Sequence, residues 1–116
     1  RSYYKLVFEH RNMTEEFDKL VRDEIPRIIK ENGEMPITHS VEGDEYSERL
    51  DEKLAEEVTE YLESGEVEEL ADILEVLHAI REERGVSLES LSDKRRQKAE
   101  QRGRFDEGIV LERVER

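Results

Sequence analysis

The sequence predicts an all-α fold, and three observations point to it. Between about residue 44 and residue 102, apolar side chains recur at three- and four-residue intervals, the period of helices buried on one side. Glycines at 33, 65, 85 and 103 interrupt that period where helices would stop. No alternating stretch is long enough for a strand.

Taken in order, residues 1–12 stand apart. Tyr3, Tyr4, Leu6, Val7 and Phe8 have no helical period, and three of the four charges there are basic. This stretch is read as an appended or disordered segment, with Met13 as the natural start and 13–116 as a single domain. Asp23 is the expected N-cap of a first short helix, with Pro26 in the first turn, where its missing N–H costs nothing. That helix stops at Asn32-Gly33. Pro36 through Val41 is too polar and brief to be more than an extended connector, ended by Gly43. Asp44 is expected to cap a second helix running to about Ser64. A third occupies about 66–84, and Ser87 caps a fourth that ends near Arg102.

Composition narrows the function. Asp and Glu number 32 against 19 Lys and Arg, for a formal charge of −13 in 116 residues. That argues against a nucleic-acid polymer or an anionic membrane as partner. The longest apolar runs, such as Leu6-Val7-Phe8 and Ile109-Val110-Leu111, are too short for a transmembrane span or a secretory signal, so a soluble, cytoplasmic protein is expected. The acidic excess, with 13 Arg to 6 Lys, also suits a salt-rich cytoplasm. Without cysteine, a metal must sit on carboxylates or on His10, His39 and His78.

Two acid pairs at i, i+3 spacing are the first candidates: Glu57 with Glu60, and Glu69 with Asp72. Acids fill about two-fifths of residues 44–84, so spacing alone is compatible with a solvated face. The helical wheel adds discrimination. In the second helix Tyr46, Leu50, Leu54, Val58 and Tyr61 form the apolar arc. Glu57 falls inside that arc and Glu60 at its edge, whereas Glu56 points away. In the third, Glu68, Glu75 and Glu82 share a solvent stripe, while Glu69 and Asp72 flank Val76 outside it. An acid inside an apolar arc requires a partner. A hairpin turning between Ser64 and Gly65 sets 57 level with 72 and 60 level with 69. The four acids would then lie on two levels about 4.5 Å apart, on helices roughly 8–10 Å apart. Such a cluster repels itself unless protons or cations neutralise it, and an oxygen-only donor set suits Mg²⁺ or Mn²⁺.

The fourth helix carries the opposite charge. Residues 94–104 hold six bases and one acid, a local +5, with Lys94, Lys98 and Arg102 on one face. This face either pairs with acidic helices nearby or clamps a metal-bridged polyphosphate. Phe105 after it is read either as core or as a platform for a base.

Glu-Glu-x-x-Glu at 56–60 followed by Glu-x-x-Asp at 69–72 resembles the metal-binding motif of the MazG-like all-α nucleoside triphosphate pyrophosphohydrolases. Lys19-Leu20-Val21-Arg22-Asp23-Glu24-Ile25-Pro26 is similar to the opening motif of the phosphoribosyl-ATP pyrophosphohydrolase-like branch, which is predicted to clear noncanonical nucleotides. Lys98-Ala99-Glu100-Gln101-Arg102-Gly103-Arg104-Phe105 resembles its closing Lys-x-x-x-Arg-Gly-x-Phe. The resemblance runs from about Lys19 to Val114. It implies a helical-hairpin bundle completed by oligomerisation, with Mg²⁺ on Glu57, Glu60, Glu69 and Asp72. Phosphate contacts are implied for Lys19, Arg22, Lys94, Lys98 and Arg102. The eight-residue interval between Glu60 and Glu69 departs from the longer one of MazG proper.

The expected activity is Mg²⁺-dependent cleavage of a nucleoside triphosphate between its α and β phosphorus atoms, with Glu57 or Glu60 as the candidate base for water. Ala71, Leu70, Leu74, Leu77, Ile73 and Ile80 make the third helix apolar over most of its circumference. A homo-oligomer, dimer or tetramer, is therefore expected. The contrasting reading is a non-enzymatic acidic module that oligomerises through the hairpin and docks a partner on its basic helix. His78 falls on the apolar arc of the third helix and is read as a core or interface histidine, with no metal role.

Overall fold

A computed structural model of the protein describes residues 14–116, whose regular structure is all helical, with no strand among them; the expectations for residues 1–12 and Met13 lie outside them. Among the described residues four helices follow one another: α1 (Ile25–Glu31), α2 (Gly43–Ser64), α3 (Val67–Glu83) and α4 (Leu88–Arg102). None of them is long and apolar enough to cross a membrane. The chain divides into two compact units, one ending at Ile80 and one running from Arg81 to Arg116.

In the first unit, residues 14–22 carry no regular structure and lead through a turn into α1. The N-cap of α1 is Glu24, one residue later than expected, and neither it nor Asp23 supplies a side-chain cap bond. Pro26 sits in the first turn, as its missing N–H allows. The helix closes with Gly33 N–H donating to Lys30 O at 2.9 Å and Glu34 N–H to Ile29 O at 3.1 Å, a Schellman closure. α2 begins at Gly43 with Glu42 as N-cap, so Asp44 lies in its first turn rather than at the cap. There its carboxylate still faces the positive end of the helix dipole.

The turn between α2 and α3 is short and well bonded. Gly65 takes φ 69°, ψ 14° and donates to Tyr61 O at 2.7 Å, while Glu66 N–H reaches Ser64 Oγ at 3.2 Å. A Cβ at Gly65 would meet nothing within 4 Å, so glycine is required there by the left-handed backbone and not by space.

Burial in this unit is sparse. Among described residues the buried apolar side chains are Leu50 and Val76, at 2% and 8% exposure, and the buried charged ones are Glu57 and Glu69, at 5% and 6%. The centre of the hairpin therefore holds acids beside its small apolar core, which is costly unless cations compensate.

In the second unit, α3 ends with Val86 N–H donating to Arg81 O at 3.0 Å, and Arg81 Nη1 returns to Val86 O at 2.7 Å. Ser87 caps α4, its Oγ accepting from Ser90 N–H at 3.0 Å. Gly103 ends the helix, and residues 109–116 are irregular.

Candidate metal centre

Glu57 sits on α2 two turns after Leu50, and these two are the buried residues of that helix. One carboxylate oxygen each from Glu57, Glu69 and Asp72 lies within 4.8 Å of the other two. Glu57 also belongs to a second set with Glu56 and Glu60, again within 4.8 Å. The candidate acids thus meet through Glu57: Glu69 and Asp72 on one side, Glu60 on the other. Glu69 is buried and Asp72 half-buried, whereas Glu68, Glu75 and Glu82 are exposed, as the helical wheel expects.

Glu56 corrects the wheel. Instead of pointing away it is half-buried, and its carboxylate accepts from Lys19 Nζ and, at 3.0 Å, from Lys53 Nζ. Burial alone would raise its pKa, but the bonds from Lys19 and Lys53 outweigh burial and hold it below the ordinary glutamate value. Lys53 also lies 3.4 Å from Glu57 Oε2, with only 17% of its own side chain exposed. One ammonium thus holds two consecutive carboxylates on the same helix.

The segment before α1 adds two further cations. Lys19 reaches Glu56 on α2, and Arg22 Nη2 donates to Asp72 Oδ1 on α3 at 2.8 Å. Arg49 fixes the direction of this segment through Nη1 to Asp18 O at 2.8 Å and Nη2 to Asp18 Oδ1 at 3.0 Å. Asp18 itself is left-handed, with φ 43°, a conformation that Asp tolerates better than most residues.

Oxygen donors alone, two of them on nine-tenths-buried side chains, suit a hard divalent ion such as Mg²⁺ or Mn²⁺ and not a soft one. The residues that would hold it are Glu57, Glu69 and Asp72, with Glu60 adjoining through Glu57.

The remaining phosphate candidates lie in the second unit. Lys94, Lys98 and Arg102 are exposed on α4, and no ion pair among the described residues involves them. Phe105 is 98% exposed, which removes its reading as core. His39 and His78 are both exposed, so His78 is not a core residue of this chain, and neither histidine belongs to the carboxylate sets.

Sequence reasoning overlooked Lys53 and Arg49. The signal for Lys53 was available, because it precedes Glu56 by three residues and Glu57 by four, the separations at which helical side chains meet. The link from Arg49 to Asp18 is tertiary and leaves no local mark.

No family model matches the chain, and no solved structure matches it. A protein of Mycolicibacterium smegmatis described as uncharacterized is 48% identical over 42 residues, which cover 36% of this chain and 43% of that protein. The match spans less than half of the relative's length and carries no activity with it.

Proposed function

We propose that the chain is a Mg²⁺-dependent nucleoside triphosphate pyrophosphohydrolase of MazG-like type, cytoplasmic and acting in nucleotide-pool house-cleaning. Its substrate is a nucleoside triphosphate or a phosphoribosyl nucleotide, and its products are the monophosphate and pyrophosphate. One observation carries the reading: carboxylates of Glu57, Glu69 and Asp72 converge from two helices, two of them buried, with Arg22 and Lys19 at the same cluster.

Mg²⁺, or Mn²⁺ in its place, supplies charge neutralisation and Lewis-acid polarisation of the phosphates when bound. Glu57 or Glu60 orients the attacking water and takes its proton as the new P–O bond forms and the bridging P–O bond breaks. Lys19 and Arg22 hold phosphate oxygens and stabilise the leaving pyrophosphate, and Lys94, Lys98 and Arg102 form a phosphate-binding face of their own on α4. Pyrophosphate release from a panel of triphosphates in Mg²⁺ tests this reading, and absence of release from every member would sink it.

A second observation favours assembly, whether or not the chain is an enzyme. Val67, Leu70, Leu74 and Leu77 follow a seam spacing on α3 and are 75%, 44%, 67% and 40% exposed, with Leu62 at 75% on α2 beside the turn. A homodimer or tetramer covering this seam is expected at micromolar concentration. Multi-angle light scattering checks it: a mass near 13.8 kDa at every salt concentration would contradict assembly.

A further inference from the structure

Of the two cations of the segment before α1, one sits on a carboxylate that the metal reading needs and the other on a neighbour of those carboxylates. Arg22 occupies Asp72 Oδ1, and Asp72 is one of the three converging acids. Lys19 occupies Glu56, which adjoins Glu57 and Glu60. We propose that residues 18–22 form an ionic strap across the hairpin, with Arg22 and Lys19 neutralising the acids while no metal is bound and passing to phosphate oxygens when metal and a polyphosphate arrive together. This rests on the metal site proposed above and describes how that site is regulated.

Three features support the transfer. The strap has an anchor separate from the acid cluster, since Arg49 grips Asp18 through both its carbonyl and its carboxylate, and Arg49 is only 20% exposed. Arg22 lies four residues beyond that anchor, at most about 14 Å of chain, so once freed it stays beside the site.

The strap's own pairs are the replaceable ones. Arg22 is 56% exposed and Lys19 34%, so both pairs are weakened by solvent and salt. Lys53 contrasts with them: it is 17% exposed, belongs to the same helix as its partners, and remains with α2.

Charge decides the exchange. A bound divalent ion would carry twice the charge of the guanidinium, which lies 2.8 Å from Asp72 Oδ1, so it would compete with Arg22 for that carboxylate. Metal alone must break the pair without compensation, whereas a phosphate anion gives Arg22 and Lys19 new acceptors. Metal and phosphate therefore bind with positive coupling, each raising the affinity of the other.

Calorimetric titration with Mn²⁺ alone, and of the Mn²⁺-loaded protein with inorganic tripolyphosphate, tests the strap on wild type, Arg22→Gln and Lys19→Gln. Arg22→Gln should tighten Mn²⁺ binding by about fivefold, by removing a competitor. It should also weaken tripolyphosphate binding by about tenfold or more, by removing a charge-assisted donor. Lys19→Gln should show the same opposed signs with smaller changes, and it keeps the test available if Arg22→Gln folds poorly. If wild type binds Mn²⁺ but the variants leave Mn²⁺ affinity unchanged or lower it, the pairs are structural and the strap is refuted while the metal site stands. If wild type binds no Mn²⁺, the metal site fails and the strap fails with it.

Discussion

Glu57→Gln is expected to abolish pyrophosphate release, lowering it at least a hundredfold, while the helical content is retained. Glu57 is the carboxylate common to both acid sets, so the substitution removes a donor from each. Changes in groups that merely orient metal ligands cost about 10–100-fold, and loss of a ligand itself exceeds that. Glutamine keeps the shape of the side chain. Lys53, 3.4 Å from Glu57, still has Glu56 at 3.0 Å, so no cation is stranded. Removing one of three crowded negative charges should therefore leave the metal-free melting temperature unchanged or raise it. Glu56 cannot serve as the inert control that the helical wheel suggests, because it belongs to the cluster. Glu75→Gln, on the exposed side of α3, is the appropriate comparison and should retain activity. Wild-type turnover by Glu57→Gln at saturating Mg²⁺ would remove the carboxylate site from the account.

Lys98→Glu is expected to weaken nucleotide binding by about 10–100-fold, since a charge-assisted contact worth about 1.5–3 kcal/mol is replaced by repulsion. Lys98 is exposed, as are Lys94 and Arg102 on the same face of α4, and no ion pair among the described residues holds any of them. Stability should then change little, because exposed charges contribute about 0–1 kcal/mol. Binding of Mn²⁺ alone should also be unaffected. Calorimetry with a nonhydrolysable triphosphate, beside a thermal melt, separates phosphate binding from charge pairing within the fold. Reduced stability with unchanged affinity would refute the phosphate clamp.

Helix ends were legible where the backbone itself demanded a residue type. Gly33, Gly65 and Gly85 take φ values of 84°, 69° and 70°, and α1, α2 and α3 stop within two residues of them. Helix starts were less legible, because a cap can be read only if its side chain makes the bond. Ser87 does so with Ser90 N–H, and Asp23 and Asp44 do not.

The burial of Glu57 followed from its place in the apolar arc, a local property of α2. The surroundings of Glu56 did not. A wheel treats each side chain as a radial point, whereas Lys19, 37 residues away, and Lys53 draw this one inward. Arg22 and Asp72 are 50 residues apart, and no periodicity connects them. The sequence motif that contains Lys19 and Arg22 marked both residues, but their present partners are acids, a fact visible only in the folded chain.

The most direct test of the central claim is the identity of the products. Phosphorus NMR of a triphosphate incubated with the protein and Mg²⁺ should show the nucleoside monophosphate and pyrophosphate appearing in equal amounts, and chelation of the metal should stop both. A diphosphate with orthophosphate, or an unchanged substrate across the whole nucleotide panel, would contradict the account.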